Sequence, residues 1–462
     1  MPVEQQVPNN LVQPTSSIST KKPFSKTIIK WGLISSLIIV LIIGILAGVL
    51  LLNSKPKIVP PKEYNLTFWG QSEDPSVVQP IIDSYHALNP NVNISYIKRS
   101  PTNYRENLET RLLNNNTSSL PDIVEVDSKW IINEAKHLTS PKDDLTFLKF
   151  NSHYYNGVQN DLEQYNSSGD LTIYGVPLEF NGLVLFYNQK SIPDSSKIPQ
   201  DWPSFKSFAN SLTVKSNDTK SYNPNIKFSG VALGASANVV HGEDILQMLI
   251  MQNRVQFPSF YQDSDAFNST SNIASAINFY KSFTSDRDLK TWDDSLGTSI
   301  KAFASGNVAM VFGYASDIPL IKSLNPSLSF SVTQPPIVAG QTFFSSNMSA
   351  LVAPIAHGND SESWKFMEYY SSDQNLKKIF DTSKNKKIFP STSLLPTLQN
   401  DPIYSPFAKI APVAQSWRSP NWNKTQEFFA KIITNNINYD SNSVTKMIAD
   451  FYTLYNYDST TK

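Results

Sequence analysis

The sequence contains no cysteine among its 462 residues. This absence excludes disulfides, thiol catalysis and zinc sites with cysteine ligands, and it excludes a lipid attached to a cysteine. Any membrane attachment must therefore come from the polypeptide itself. An exported chain without disulfides is stable when its core is large, and the 40% hydrophobic content is sufficient for such a core.

An excess of one charge is also lacking. The 39 Lys and Arg residues balance the 39 Asp and Glu residues, and charged residues make up only 17% of the chain. Nucleic-acid-binding proteins normally need a strongly basic face, so this class is not indicated. The length predicts two or three domains.

The sequence motifs of several enzyme classes are missing as well. The chain has no HExxH, GxSxG or GxGxxG pattern and no P-loop. Its histidines lack metal-ligand spacing, which favours a structural role for each, and we predict no metal and no cofactor. The five are His86, His137, His153, His241 and His357.

An uncharged run, Trp31 to Leu52, stands out near the N-terminus. A helix of about 20 apolar residues crosses the hydrocarbon core of a membrane, so we predict a transmembrane anchor over residues 31–52. The lysines before this run, including Lys26 and Lys30, outnumber those after it. The positive-inside rule therefore places the N-terminus in the cytoplasm and the rest of the chain outside the cell. A cleaved signal peptide is the alternative, but its apolar region is shorter.

The segments on either side of this span have different compositions. Residues 1–30 are polar and poor in apolar anchors, which predicts a disordered cytoplasmic N-terminus. Residues 53–62 contain three prolines and are predicted to form a stiff linker. Gly44 and Gly48 form a GxxxG pair that can mark a dimerising helix face, although glycines are also simply tolerated in membrane helices.

From residue 63 onward, predicted strands and helices alternate. Tyr64–Trp69 and Val92–Lys98 have strand patterning, whereas Pro75–Leu88 and Tyr104–Leu113 have helical spacing of apolar residues. A second block of the same kind runs from Leu183 to about residue 311. Such alternation is typical of α/β units built on a mostly parallel sheet.

Six segments, in order, resemble the family 1 extracellular solute-binding proteins, the group of maltose-binding protein. They are NLTFWG at Asn65–Gly70, PDIVEVDSKW at Pro121–Trp130, YGVPLEFNGLVLFYNQ at Tyr174–Gln189, AFASGNVAMVFGY at Ala302–Tyr314, SALVAPIAHGNDSESWKFMEYYSSDQNLKKIF at Ser349–Phe380 and SWRSPNW at Ser416–Trp422. The resemblance implies an extracellular protein that captures a small ligand, expected to be a sugar, for the permease of an ABC importer.

The resemblance also implies a periplasmic-binding-protein type II fold, with two α/β lobes and a ligand cleft between them. The first lobe is expected to comprise residues 63–180 and 343–402, and the second residues 181–342 and 403–462. The chain is expected to cross between lobes near residues 178–181, 343 and 401–405. A cleft between two such sheets can close on its ligand by hinge motion.

Candidate ligand contacts follow from residue chemistry and from the matching segments. Aromatic faces stack on the CH face of a sugar, and Trp69, Tyr314 and Trp422 are expected to supply them. Carboxylates accept hydroxyl hydrogen bonds, and Asp127 and Glu179 are the expected acceptors. The further candidates are Gly70, Phe180, Asn181, Asp317, Asn347, Trp417 and Arg418.

Several of these residues also have a structural interpretation. Trp69 can belong to the core, Asp127 can cap the helix that begins near Ser128, and Phe180 can pack between the lobes. Two other functions remain open as alternatives. A membrane-anchored carbohydrate-active hydrolase needs only two suitably spaced carboxylates, which any chain with 39 acidic residues offers. A surface adhesion protein should have all-β or repeat patterning, which this sequence lacks.

Overall fold

A computed structural model describes residues 26–53, 62–113, 119–141, 149–150, 152–216, 225–253, 266–417 and 422–454. The chain divides into two compact units, residues 1–62 and residues 63–462. Of residues 1–30, which are predicted to be disordered, residues 1–25 lie outside the described residues, and residues 26–30 form the start of a helix. Nearly all of the predicted linker also lies outside the described residues.

The first unit contains helix α1, Lys26–Asn53, which includes the whole apolar run found in the sequence. Its apolar side chains are exposed where they are described, from Ile34 to Val49, with Leu37 and Val40 at 70% and 69%. Among the residues that the structure describes, no helix is long and apolar enough to cross a membrane. The predicted anchor is therefore not shown by the structure.

The second unit contains all the strands that the structure describes. They are β1 Tyr64–Gly70, β2 Val92–Lys98, β3 Ile123–Asp127, β4 Glu163–Tyr165, β5 Leu171–Ile173, β6 Val176–Gly182, β7 Val184–Asn188, β8 Val214–Lys215, β9 Ile226–Val231, β10 Val308–Gly313, β11 Phe330–Thr333, β12 Phe344–Val352 and β13 Ala414–Gln415. β4 and β5 form a separate hairpin, and the others form two larger sheets.

The α-helices of the second unit lie between these strands and after them. Their bounds are α2 Pro75–Leu88, α3 Tyr104–Leu113, α4 Ser128–Glu134, α5 Asn156–Leu162, α6 Trp202–Leu212, α7 Gly242–Gln252, α8 Ala266–Ser285, α9 Ser299–Ala304, α10 Ile318–Leu324, α11 Asp360–Tyr370, α12 Asp373–Thr382, α13 Ser405–Ile410, α14 Trp422–Thr434 and α15 Ser441–Leu454. Short 3₁₀ turns cover residues 135–137, 195–197, 294–296, 315–317 and 395–398.

Apolar periodicity explains why these segments fold as they do. Helix α2 buries Val78, Ile81, Ile82 and Tyr85, which recur at the spacing of one helical face, and Pro75 stands in its first turn, where proline is tolerated. The strands and helices predicted before residue 114 have almost the observed bounds. The α/β class is confirmed.

Two sheets define the two lobes. The first lobe is built on the sheet with strand order β13-β12-β3-β1-β2, in which β6 also pairs with β12. The second lobe is built on the sheet with order β11-β7-β10-β9-β8. In the second lobe β7 and β10 are buried along their whole length, so this strand pair forms the centre of its core.

Strands β6 and β12 connect the two lobes. β6 belongs to the first sheet and ends at Gly182, and β7 of the second sheet begins at Val184. The chain therefore crosses at Leu183, directly after the predicted position. It returns to the first sheet between β11 and β12, over residues 334–343. After the third predicted crossing, β13 still pairs with β12, while α14 packs on α7 of the second lobe. The exact division of residues between the lobes stays a prediction.

Candidate functional site

One face of the first sheet carries a row of polar side chains where the chain crosses between the lobes. In β12, Ser349 pairs with Asp127 on one side and with Glu179 on the other, and Asn347 pairs with Asn181. Directly paired residues of antiparallel strands point to the same face, as do residues two apart in one strand. The register thus brings four predicted site residues, Asp127, Glu179, Asn181 and Asn347, onto one face.

Asp127 ends β3 at the edge of the sheet and caps α4. Its Oδ1 atom accepts a hydrogen bond from the backbone N–H of Lys129 at 2.9 Å. Burial raises the pKa of Asp127, and the nearby Asp244 adds to this effect, whereas Lys129 and Arg105 oppose it. The helix-capping interpretation is confirmed, and the same carboxylate also faces the second lobe.

Asp244 is the centre of a polar cluster in the second lobe. The Tyr314 hydroxyl donates a hydrogen bond to its Oδ2 atom at 2.9 Å, and the Gln426 amide donates to its Oδ1 atom at 3.1 Å. Burial raises the pKa of Tyr314 well above its ordinary range, with Asp244 contributing next and Asp127 more weakly. Tyr314 thus lies between acidic groups of both lobes.

His241 and Asp317 extend this cluster. The His241 Nε2 atom lies 2.9 Å from the Asp317 Oδ2 atom, which also accepts the backbone N–H of Tyr314 at 2.8 Å. The His241 ring meets the Tyr314 ring edge-on, with centroids 4.7 Å apart. Burial lowers the pKa of His241, but Asp317 and Asp244 outweigh burial and raise it above the usual value. Asp317 therefore fixes the position of Tyr314 and His241.

Side chains of the first lobe reach the second lobe at this point. The Lys129 ammonium lies 3.6 Å from the centroid of the Trp422 ring and 4.0 Å from the Asp244 Oδ1 atom. The Arg105 guanidinium donates to the Asn423 side-chain oxygen at 3.4 Å. These contacts define the cleft as the space between the polar face of the first sheet and the cluster around Asp244.

Some groups in the cleft are suited to a polar ligand. Asn181 is 4% exposed, and its Oδ1 atom meets no hydrogen-bond donor among the described residues. An unpaired buried oxygen is costly, so a donor from a ligand or a water would stabilise it. Within the described part of the chain, no group of acidic and histidine side chains is arranged to hold a metal ion.

Glu179 adjoins a buried ionic cluster around Lys387. The Lys387 ammonium lies 3.5 Å from Glu125 Oε1 and 3.6 Å from Glu73 Oε1, and it donates to the Ser72 hydroxyl at 2.6 Å. Burial raises the pKa of Glu179; Lys387 opposes this, and Glu125 and Glu73 add to it.

Trp69 and Gly70 lie elsewhere in the first lobe. Trp69 pairs with Val124 of β3, so the two side chains lie on the same face of the sheet. Because successive residues of a strand point to opposite faces, Val124 and Asp127 lie on opposite faces, and Trp69 therefore lies opposite the polar row. The Trp69 ring is 8% exposed, and the Arg99 guanidinium covers it at 4.0 Å. The core interpretation of Trp69 fits this placement better than the predicted cleft wall.

Gly70, a candidate ligand contact in the sequence, has a packing role in the structure. A Cβ atom at this position would lie 2.5 Å from the Tyr96 hydroxyl oxygen and 2.6 Å from a ring carbon of Tyr96. The absence of a side chain therefore lets Tyr96 pack against the end of β1.

Two further predicted contacts belong to the core. Phe180 is fully buried and packs 5.7 Å from the Tyr155 ring, and Trp417 is 2% exposed and packs edge-on against Phe429 at 5.3 Å. Both rings therefore pack against other aromatic side chains of the protein. Their role as ligand contacts stays a prediction, and Arg418 lies outside the described residues.

The sequence interpretation missed Lys129, His241 and Asp244 as cleft residues. Lys129 follows Asp127 by two residues in the same strand-to-helix turn, which was the available signal. The sequence favours a structural role for His241, because no other histidine has ligand spacing to it. Its partner Asp317 is 76 residues away, and sequence proximity cannot reveal such a pair.

Comparisons with known proteins agree with this two-lobed architecture. Residues 81–406 match the model of the family described as bacterial extracellular solute-binding proteins. No curated protein sequence matches the chain. Among solved structures, a cyclo/maltodextrin-binding protein complexed with maltotetraose is 14% identical with a TM-score of 0.64, covering 85% of this chain and 98% of its own.

Two other solved structures are similar to the same extent. A solute-binding protein of an ABC transporter from Thermotoga lettingae, bound with α-D-tagatose, is 17% identical with a TM-score of 0.63 and covers 84% of this chain and 98% of its own. The sugar-binding protein MalE from Xanthomonas citri is 16% identical with a TM-score of 0.64 and covers 85% of this chain and all of its own. These likenesses show a shared two-lobed α/β fold. The family model matches well over half of this chain, and the chain therefore belongs to the bacterial extracellular solute-binding proteins.

Proposed function

We propose that this protein captures a sugar outside the cell and delivers it to the permease of an ABC importer. The observation that carries the proposal is the polar face of β3, β12 and β6, opposite the cluster of Tyr314 and Asp244 across the cleft. Sugars bring many hydroxyl groups, and this face offers carboxylates, amides and hydroxyls at close spacing. The sugars in the names of the similar structures support the same ligand class.

Binding without chemistry is the expected activity. We propose that no sugar bond is cleaved, against the alternative of a hydrolase. Full-length protein in detergent should bind at least one sugar of a panel including glucose, mannose, tagatose, maltotriose and mannotriose in a calorimeter. The bound sugar should be recovered unchanged. Hydrolysed product would support the hydrolase, and the absence of binding across the panel would contradict sugar capture.

Ligand should shift the two lobes toward the closed form, because a ligand contacting both lobes favours the state in which both contacts exist. The chain has no cysteine, so a Glu106→Cys/Glu427→Cys pair places single spin labels on α3 and α14. Pulsed electron paramagnetic resonance on the full-length protein should give shorter and narrower distances with sugar. The pair Glu106→Cys/Lys365→Cys, within the first lobe, should not change. If saturating sugar leaves the distance distribution of the Glu106→Cys/Glu427→Cys pair unchanged, as it should for the control pair, a closing cleft is contradicted.

We further propose that α1 anchors the protein in the membrane. The proposal rests on the sequence: the uncharged run from Trp31 to Leu52 would span about 33 Å as a helix, close to the roughly 30 Å of the hydrocarbon core. Its exposed apolar side chains would be stable in lipid and costly in water.

Cell fractionation tests this anchor. Full-length protein should remain in the membrane fraction, and external protease should digest the part after Lys62 in intact cells. A chain that begins at Lys62 is the matched control and should leave the membrane fraction. A mature N-terminus at or after Asn53 would reveal instead that the segment is a cleaved signal.

A further inference from the structure

The aromatic rings that the sequence predicts as stacking walls already contact other side chains of the protein. The Arg99 guanidinium covers Trp69, the His241 ring meets Tyr314, and the Lys129 ammonium lies on Trp422. Trp422 is the partly buried one of these three rings and lies in the cleft. Lys129, which covers the face of the Trp422 ring, is therefore part of the candidate binding site.

Lys129 occupies a position that fits one cationic group closely. Its side chain is 3% exposed, its ammonium lies 3.6 Å from the Trp422 centroid, and the Asp244 Oδ1 atom lies 4.0 Å away. The charge of Lys129 also opposes the rise in the pKa of Asp127. Two carboxylates and the negative face of an indole ring are the surroundings that a desolvated ammonium needs.

Other cations near the cleft have their own acidic partners. Arg105 pairs with Glu109 at 2.6 Å, and His241 pairs with Asp317 at 2.9 Å. Lys129 lies 4.0 Å from Asp244 and compensates Asp127 from the first lobe more strongly than Arg105 does, and His241 Nδ1 lies 4.0 Å from Asp244 in the second lobe. A second ammonium entering with a ligand would meet a like charge in a place of low dielectric and would find both carboxylates already compensated.

We propose that Lys129 determines specificity by making the cleft accept uncharged sugars and reject sugars that carry an ammonium group. This inference rests on the proposed function, since it concerns the sugar site itself. Removing the Lys129 charge would leave Asp127 and Asp244 with only Arg105 and His241 as cationic neighbours and would open the Trp422 face. The cleft would then favour an amino sugar, whose ammonium could take the place of the lysine ammonium.

Matched sugar pairs test the proposal on the full-length protein in detergent at pH 6. The probes are glucose, mannose, maltotriose and mannotriose, each with its 2-amino-2-deoxy counterpart, so that one hydroxyl is exchanged for an ammonium. Wild-type protein should bind the neutral member of a pair at least about tenfold more tightly. Lys129→Met should move this ratio toward the amino sugar by about tenfold or more, and Lys129→Arg should keep the wild-type preference.

Two controls make the outcomes distinct. Lys365→Met removes a lysine that is 59% exposed and pairs with Glu362 in the same helix, and it should leave the ratio unchanged. If wild-type protein binds no sugar of either kind, the proposed function fails and the specificity role fails with it. If it binds both members of a pair equally, or if Lys129→Met binds sugar with the wild-type ratio, the specificity role is wrong while sugar capture stands. The wild-type comparison decides even if Lys129→Met does not fold.

Discussion

Replacing Lys387 with methionine should lower the free energy of unfolding by about 3–5 kcal/mol at pH 7, because it leaves buried carboxylates without their cation. Lys387 is 8% exposed, and Glu125 and Glu73 lie within 3.6 Å of its ammonium. Two backbone N–H groups, of Gln71 and Ser72, also bind the Glu125 carboxylate and hold it in place. Chemical denaturation of wild type and variant, followed by circular dichroism, measures the difference.

The loss should depend on pH in a defined direction. Burial raises the pKa of Glu125, but Lys387 and the hydrogen bonds from Ser72 and Gln71 outweigh burial and lower it. A carboxyl with a lowered folded pKa stabilises the fold above its unfolded pKa, about 4.3, and this stability is lost as the pH falls through the folded pKa. In Lys387→Met the Glu125 pKa should rise, because only burial and hydrogen bonds remain.

A protonated Glu125 is tolerated without a cation, so the gap between the two proteins should be largest near pH 7 and smaller near pH 4. The titration of Lys387 itself does not reduce stability at neutral pH. Glu125, Glu179 and Glu73 outweigh burial and raise its pKa, so its contribution is present below its unfolded pKa and is lost only as the pH rises through the higher folded value.

Matched variants make the prediction specific to the buried cluster. Lys365→Met should change stability by less than about 0.5 kcal/mol, since surface ion pairs contribute little. The double variant Lys387→Met/Glu125→Gln should recover part of the loss, because it removes one of the stranded charges. A loss for Lys387→Met as small as that for Lys365→Met would contradict the buried ionic cluster.

Local patterns explain which parts of the fold were predictable from the sequence. The spacing of Val78, Ile81, Ile82 and Tyr85 predicts both that α2 is a helix and which of its faces is buried. β12, by contrast, makes partners of residues 127 and 179, which are distant along the chain. Such pairing follows from tertiary packing and is not encoded in any local period.

Part of the candidate site was predictable, because segments that resemble the solute-binding family contain residues that lie on one face of the first sheet. Asp127, Glu179 and Asn181 belong to such segments and Asn347 lies two residues before one, and the register places the four together. The prediction for Trp69 depends instead on its position near the end of a strand. Strand alternation reverses the face with every residue, so a position within two residues of a strand end does not determine which face a side chain takes.

Charge partnerships were not predictable. Lys129 interacts with Asp244 and Trp422, and Lys387 interacts with Glu73 and Glu125, over separations of more than one hundred residues. With 39 acidic residues in the chain, no local rule selects the partner of a given lysine. Burial selects it, because a buried ammonium is retained only where carboxylates or an aromatic face compensate it.

Trp69→Ala should cost about 3–5 kcal/mol of stability, the usual cost of a large cavity in a core. The ring is 8% exposed and packs in the hydrophobic core of the first lobe. Trp69→Phe keeps most of the buried apolar surface and removes the indole N–H, which meets no acceptor among the described residues. Deleting an unpaired buried donor costs little, so this variant should lose only about 1 kcal/mol or less.

Ligand affinity of the same proteins separates a core residue from a cleft wall. Because Trp69 lies on the opposite face of the sheet from Asp127, folded Trp69→Phe protein should bind sugar as wild type does. Asp127→Asn is the contrasting variant: asparagine can still cap α4, but loss of the charged acceptor should weaken binding by about one to two decades. Melting temperature and calorimetric affinity should be measured on all three variants. A stable Trp69→Phe protein with tenfold weaker binding would return Trp69 to the cleft, and unchanged affinity in Asp127→Asn would remove Asp127 from the ligand contacts.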